Sequence, residues 1–398
     1  MEAFHAAGRS RSPRSTGWQV PRRIAGLLLL LSVVSDPRRL HAEGTPTATR
    51  TRLSDSFSYL QESRPEGPWS IHVVRIRRAR SDLKIHAVLG GGTHLGLGTL
   101  SSQMTAFPKS QGRPIAAVNG DYFVRDGQFV GDPEGLCIVE GRLVSTPSQK
   151  SCFWVAPDGG FHCTNVISLL SITWPDGRKT PADLNEERKD RPVIYTPDFG
   201  PETRHQTGHE VVLQPIEEVP ATLAPGETRK FRVVEVRQGG GLPLTSSNLV
   251  VALPEVAEKD LGALSPGSIA TIDAATLPSL HGVRTAVGGG PALVHGGQAT
   301  QLEAGEVRHP RTAIGWNAED FFLVQVDGRQ PSISVGMSFA ELTRYFLELG
   351  CTEALNLDGG GSSTLWVQGQ VANNPSEGSE RPMANALVIA LEPKPAAK

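Results

Sequence analysis

Long hydrophobic runs are scarce in this 398-residue chain: the longest, residues 24–34, covers 11 positions, about half of the ~20 that a bilayer-spanning helix needs. No stable membrane span is expected. Charge of one sign is missing as well, since 39 Lys and Arg stand against 41 Asp and Glu for a formal charge of −2, so nothing favours nucleic acid as a partner. Cysteine is limited to positions 137, 152, 163 and 351, and no two of them form a Cys-x-x-Cys pair. That excludes a zinc ribbon or a thioredoxin-type site, and the small number fits an oxidising compartment. Cys152 and Cys163 flank the turn Pro157-Asp158-Gly159-Gly160, which predicts a hairpin bringing the two thiols close enough to bridge. There is no internal repeat and no N-glycosylation sequon, because the proline in Asn374-Pro375-Ser376 disqualifies that triplet.

What the chain does have is glycine and proline, 43 and 30 of them, punctuating short apolar segments. The expectation is a strand-rich body with few helices. Residues 1–42 are basic and then apolar, the pattern of a signal peptide with its n-region, and predict export to the periplasm, the cell envelope or the medium. Arg22-Arg23 ahead of the apolar run also admits twin-arginine export. After a Thr/Pro/Arg linker, residues 43–112 read as a β-rich flanking region packed on a main domain over 113–391, with a β insertion at about 200–270. Residues 69–77 and 83–89 look like a hairpin or neighbouring strands, and 99–107 like a short helix. One longer helix is clear: Ser338 with Glu341 makes a capping box, Phe339, Leu342, Phe346 and Leu349 repeat at helical spacing, and Gly350 supplies the stop.

That helix leads into Ala354-Leu355-Asn356-Leu357-Asp358-Gly359-Gly360-Gly361-Ser362-Ser363-Thr364, which reads as strand, tight loop, strand. Three glycines permit close backbone approach, so the amides of Gly359, Gly360, Gly361 and Ser362 could line a concave anion site with Asp358 facing it. The plainer reading is a hairpin loop whose Asp bonds its own backbone. Asn119-Gly120-Asp121 closes another apolar strand in the same manner, with an Asn-Gly turn as its plainer reading. A second glycine cluster runs from 288 to 290.

Together, Asn119-Gly120-Asp121-Tyr122-Phe123, Gly289-Gly290-Pro291, Arg311-Thr312-Ala313-Ile314-Gly315, Asp327-Gly328, the Asn356–Thr364 run and Asn374-Pro375-Ser376 with Arg381 resemble the phosphodiester glycosidase family over roughly 113–391. The resemblance implies an α+β fold of mixed β-sheets and an enzyme that splits a sugar from a phosphodiester-linked glycan or glycolipid. It leaves the natural substrate open.

Cleaving C1–O in such a substrate expels a phosphomonoester whose second pKa is about 6, so the leaving group needs little protonation. The protein must neutralise phosphate and stabilise an oxocarbenium-like centre, with a carboxylate as nucleophile or as base for water. Asp358 is the first choice, then Asp121, then Asp327, whose plainer reading is an Asp-Gly turn. Arg311 and Arg381 suit the phosphate because a guanidinium forks onto two oxygens; a structural ion pair is the alternative for Arg311. Asn119 and Asn356 suit sugar hydroxyls or an N-acetyl amide. No cofactor is required; calcium is the metal that Asp121, Asp126 and Asp132 would suit, although their spacing lacks the EF-hand pattern. His205 and His209 lack the helix and intervening Glu of a zinc protease. Two competing functions remain: a non-catalytic glycan-binding module on the same fold, and a phosphodiesterase breaking P–O, which would ordinarily use two metals.

Overall fold

Segments such as Phe321-Phe322-Leu323-Val324 are apolar at successive positions rather than alternating, which suits strands covered on both faces. The computed structural model describes residues 47–54, 56–204, 208–254, 264–302 and 307–392; the leader expected over 1–42 and His205 lie outside the described residues. Two eight-stranded and two five-stranded sheets dominate, with one two-stranded ribbon. The first large sheet is antiparallel throughout and runs, edge to edge, Thr47–Ser54, Phe57–Arg64, Trp69–Arg77, Asp320–Val326, Arg311–Trp316, Glu353–Asn356, Ala292–His295, Gln298–Ala299. A five-stranded antiparallel sheet runs Gln370–Val371, Leu365–Val367, Arg113–Asn119, Asn385–Leu391, Leu83–Leu89.

Both faces of these two sheets are indeed covered. Ile314, Leu323 and Leu355 of the first pack against Val118, Leu387 and Leu365 of the second in one core. Behind the first sheet Ala313, Phe322 and Val324 meet Leu342, Tyr345 and Phe346 of the helix Phe339–Glu348. Behind the second, Ala117, Ala386 and Val388 meet Leu100 and Met104 of the helix Leu100–Ala106. Each buried Val, Leu, Met or Phe among these contributes about 1.5–3 kcal/mol, so the two helices act as lids on apolar sheet faces. The capping box is present: Ser338 accepts from the Glu341 amide, and the Glu341 carboxylate accepts from Ser338 N at 2.9 Å.

The strand partners refine these expectations. Residues 69–77 and 83–89 are not a hairpin, because the first strand pairs with Asp320–Val326 and the second with Asn385–Leu391. Within the flanking region expected at 43–112, the described residues 47–54 and 56–112 supply strands to both sheets. The β layer expected at 200–270 starts earlier: Ser171–Thr173 and Val193–Tyr195 join His209–Pro215, Thr228–Gln238, Leu249–Leu253 and Ile269–Asp273 in the second eight-stranded sheet.

The Cys152–Cys163 hairpin forms, yet the thiols are not bridged. Phe153 stands opposite Cys163, and Cys152 opposite Thr164. One residue of offset sends two side chains to opposite faces: Cys152 enters the core with Ile138 and Trp154, whereas Cys163 packs against the core that holds Phe153. All four cysteines are free.

Candidate active site

Three sheets end at one place. Arg113–Asn119 finishes at Asn119, Glu353–Asn356 delivers Asp358 two residues later, and Thr285–Gly288 of the other five-stranded sheet runs into the 288–290 glycines. Asn119 ties the first two together: its Oδ1 accepts from Thr312 Oγ1 at 2.7 Å and Thr364 N at 3.1 Å, and its Nδ2 donates to Asp358 O at 2.7 Å. With the side chain 1 % exposed and so engaged, Asn119 braces the loop rather than presenting its amide to a sugar. Asn356 is engaged through one end only: Nδ2 donates to Tyr122 Oη at 3.0 Å and to Gly290 O at 2.8 Å, which sets the Tyr122 ring, while its buried Oδ1 has no hydrogen-bond partner.

Asp358 remains half-buried at the mouth of this junction. Burial pushes its carboxyl up to about 6, against the Ser362 hydroxyl, the Gly359 amide and the Arg381 charge, which pull the other way. It is therefore a carboxylate at neutral pH with a proton within reach, as acid–base or nucleophilic work requires. Arg381 lies over Gly361, where a Cβ would collide with its guanidinium and with the Glu377 carboxylate that it pairs with; only glycine admits that approach. On the other side the Arg329 guanidinium would stand 3.0 Å from a Cβ at Gly360. Two guanidiniums thus bracket the glycine loop.

The loop itself differs from the expected anion nest. Gly360 N donates to Pro310 O at 2.9 Å, Ser362 N to Gly359 O at 3.2 Å and Ser363 N to Gly360 O at 3.3 Å, so the chain forms a 3-10 turn over Gly360–Ser362. The Gly359 amide serves Asp358. Of the four amides expected to line an anion site, those of Gly359, Gly360 and Ser362 are consumed internally and only that of Gly361 is not spent in this way, so most of the charge for an anion comes from side chains.

Asp121 is 3 % exposed. Its Oδ1 accepts from Tyr122 N at 2.8 Å, while Oδ2 has no partner and is walled by Gly135 and Gly288, where any Cβ would overlap it. Burial pushes this carboxyl up to about 7. Asp327 is fully enclosed and accepts from Ser70, His72, Asn373 and Asn374. Burial raises its pKa, but the His72 and Asn374 donors hold it below the ordinary carboxylate range. Its catalytic assignment does not fit this placement, nor does the Asp-Gly hairpin reading; it is a buried brace, one bond away from Asn373, which donates to Ser363 O at 3.2 Å. Arg311 is buried, donates to Met337 O at 2.8 Å and stacks 3.9 Å from the Phe339 ring centroid, with its Cδ beside Gly359. Backbone carbonyls of Val307 and Met337 and the Phe339 face help hold it. Among the described residues no group of three or more His, Cys, Asp or Glu is placed to hold a metal.

Residues not anticipated as site members are Tyr122, Arg329, Glu134 and Lys150. Burial and the Asp358 charge push the Tyr122 phenol up to about 12. Lys150 pairs with Glu134 at 2.7 Å and lies 5.6 Å from the Tyr122 ring centroid. Tyr122 lies inside the Asn119–Phe123 motif and Arg329 directly follows Asp327-Gly328, a local signal; Glu134 and Lys150 lie in loops with none.

The arrangement defines a class: a β-rich α+β protein with a carboxylate and two guanidiniums around a glycine turn, suited to an anionic ester. Over residues 228–390 the chain matches the phosphodiester glycosidase family, and the resemblance drawn from the motifs holds over that stretch. Against curated proteins, it is 42% identical over 84 residues to the SPβ prophage-derived protein YomE of Bacillus subtilis strain 168, a match spanning 21% of this chain and 13% of that one. Among solved structures, a hypothetical protein from Synechocystis superposes with a TM-score of 0.70 at 18% identity, covering 86% of this chain and 63% of the other. A Burkholderia pseudomallei K96243 protein described as exported gives 0.62 at 24% identity, covering 81% and 74%. These two show the fold.

Proposed function

We propose that this protein hydrolyses the sugar–phosphate linkage of a glycosyl phosphodiester outside the cytoplasm. The observation that carries the reading is Asp358, a half-buried carboxylate with its pKa lifted to about 6, standing beside Arg381 at the end of a strand. In this reading the phosphodiester lies over Gly360 and Gly361 between Arg329 and Arg381, and Arg381 exchanges Glu377 for phosphate oxygens. Asp358 attacks C1, or removes a proton from the water that does. The C1–O bond breaks with its electron pair going to the phosphate oxygen, the two guanidiniums stabilise the phosphomonoester released, and water supplies the new hydroxyl at C1. Tyr122, held by Asn356, and Asp121 beneath it set the wall facing Asp358. The family match and the basic, apolar leader in the sequence support the reaction class and the export, respectively.

The test is hydrolysis of an N-acetylglucosamine 1-phosphodiester in ¹⁸O-labelled water. Label in the sugar supports C–O cleavage, and label in the phosphate makes the protein a P–O phosphodiesterase. Asp358→Asn is expected to lower kcat by at least about 10²–10⁴, the usual contribution of one acid–base group, while leaving the urea midpoint near wild type. Near-normal turnover by the folded variant removes Asp358 from the chemistry.

A further inference from the structure

The segment Val166-Ile167-Ser168-Leu169-Leu170 carries aliphatic side chains on both of its faces, where a strand covered on one side needs them only at alternate positions. Val166 and Leu170 enter the core that holds Trp154 and Ile172. Ile167 and Leu169 point the other way. Ile167 stands opposite Leu277 in the two-stranded ribbon, and Leu169 N continues the ladder by donating to Ala275 O at 2.9 Å, so Ile167, Leu169 and Leu277 share one face. They are 44, 49 and 59 % exposed. Scattered exposed leucines are ordinary, but three aliphatic side chains on one face of a small ribbon form a patch.

The patch opens onto a groove of about 830 Å³, which Ile167 and Leu169 line together with Pro147, Ser148 and Glu134. The last two tie the groove to the catalytic junction. Glu134 N donates to Tyr122 O at 2.8 Å, its carboxylate pairs with Lys150 at 2.7 Å, and Lys150 lies 5.6 Å from the Tyr122 ring centroid. A Cβ on Gly135 would lie 2.7 Å from Asp121 Oδ2 and 3.5 Å from Ser148 Oγ. Burial raises the Asp358 carboxyl first, and the Glu134 charge adds to it. The groove therefore starts beside the Tyr122 and Asp121 wall and runs out to the aliphatic ribbon. Its cations, Lys179 and Arg191, are paired with Asp273 at 3.2 Å and Asp183 at 3.7 Å, so apolar contact rather than charge is what the far end offers a ligand.

We propose that this groove receives the alcohol side of the phosphodiester and selects an alcohol with an aliphatic chain. Its place in the substrate rests on the glycosyl phosphodiester reading. Chain and ribbon then cover each other, removing from water the aliphatic surface that the fold leaves exposed. Each methylene so buried contributes about fourfold in affinity.

The test compares the octyl and ethyl esters of N-acetylglucosamine 1-phosphate, both below micellar concentration. Wild-type protein is expected to favour the octyl ester by at least about tenfold in kcat/KM, less than the full contribution of the added methylenes because the chain loses freedom in the groove. Leu169→Ser/Leu277→Ser should cut that ratio by at least about threefold while leaving the ethyl ester rate unchanged. Both side chains are exposed, so its urea midpoint should stay near wild type. If the double variant unfolds early, Ile167→Thr keeps a β-branched residue in the strand and must show the same fall. A wild-type ratio below the expected one, or a smaller fall in the variants, overturns the proposal. So does sedimentation showing a wild-type dimer that the double variant loses, which would make the ribbon a contact between copies of the chain. If neither ester is hydrolysed, the catalytic reading fails by itself and binding decides the groove: calorimetry on the intact protein should show octyl phosphate binding more tightly than ethyl phosphate by at least the same ratio, and equal or absent binding overturns it.

Discussion

Asp327→Asn separates a brace from a catalyst. The wild-type Oδ2 accepts from Ser70 Oγ at 2.9 Å, His72 Nε2 at 3.0 Å and Asn374 Nδ2 at 2.9 Å; Oδ1 accepts from Asn374 N at 3.0 Å and Asn373 Nδ2 at 3.3 Å. With Nε2 carrying the proton, His72 Nδ1 accepts from Tyr59 Oη at 2.6 Å, so the chain of donors continues outward. A carboxamide has one acceptor oxygen and one NH₂. Its better orientation keeps the three donors on one side and turns NH₂ toward Asn373 and Asn374 N, leaving two buried donors facing a third. At about 1.5–3 kcal/mol for each of the two bonds to a charged group, the loss is about 3–6 kcal/mol, a large part of the ~5–15 kcal/mol that holds a domain. Urea unfolding at pH 7 should show that drop, while turnover per folded molecule changes less than about tenfold. The pH dependence has a definite sign: a carboxyl depressed on folding adds stability above its unfolded pKa of about 3.9 and loses it as pH falls through the lower folded value, so the variant should also lose part of the acid sensitivity below pH 4. An unchanged midpoint with lost turnover would refute the reasoning and return Asp327 to the chemistry.

Gly288→Ala should destabilise the protein by more than about 2 kcal/mol, because its Cβ would enter Asp121 Oδ2; adding Asp121→Ala should recover part of the loss in a double-mutant cycle of urea midpoints, and strict additivity would show that the two do not meet. The raised carboxyls act oppositely to Asp327: Asp121 at about 7, Asp358 at about 6 and Asp132 at about 8 keep protons in the folded state that an unfolded chain releases near pH 4. Stability should therefore fall by a few kcal/mol as pH rises from about 5 to 8, and Asp121→Asn should flatten the curve; a midpoint that rises over this range would contradict those environments.

Local signals were legible where chemistry is local. Ser338, Glu341 and Gly350 announce their helix because a capping box and a positive-φ stop, +74° at Gly350, depend on neighbours in sequence. Adjacent apolar strands such as 69–77 and 83–89 carry no mark of partner, since pairing with Asp320–Val326 and Asn385–Leu391 depends on closing loops of hundreds of residues. Cys152 and Cys163 show the same limit at short range: Pro157-Asp158-Gly159-Gly160 predicts the hairpin, but register, and with it the face each thiol occupies, is set by which core receives Trp154 and which Phe153.

The site divides along that line. Residue types and their order pointed to Asn119, Asn356 and Asp358 because each ends a strand or borders a glycine, and to Arg381 by its charge alone. Their roles could not be read so, because a role depends on which donors are already used. Gly360, Ser362 and Ser363 carry the composition of an anion nest yet spend their amides on Pro310, Gly359 and Gly360 carbonyls. That expenditure has a consequence for recognition. A backbone nest grips an anion rigidly, whereas Arg381 in an ion pair with Glu377 and Arg329 beside Gly360 bring long, exchangeable arms to it. A phosphate must displace Glu377 to gain Arg381, so part of its binding energy is offset by the broken pair. What remains favours the species with the greater negative charge at that position. In the proposed reaction this is the phosphomonoester leaving group rather than the diester, and the same guanidiniums therefore stabilise the departing charge more than the bound substrate, as catalysis by differential binding requires.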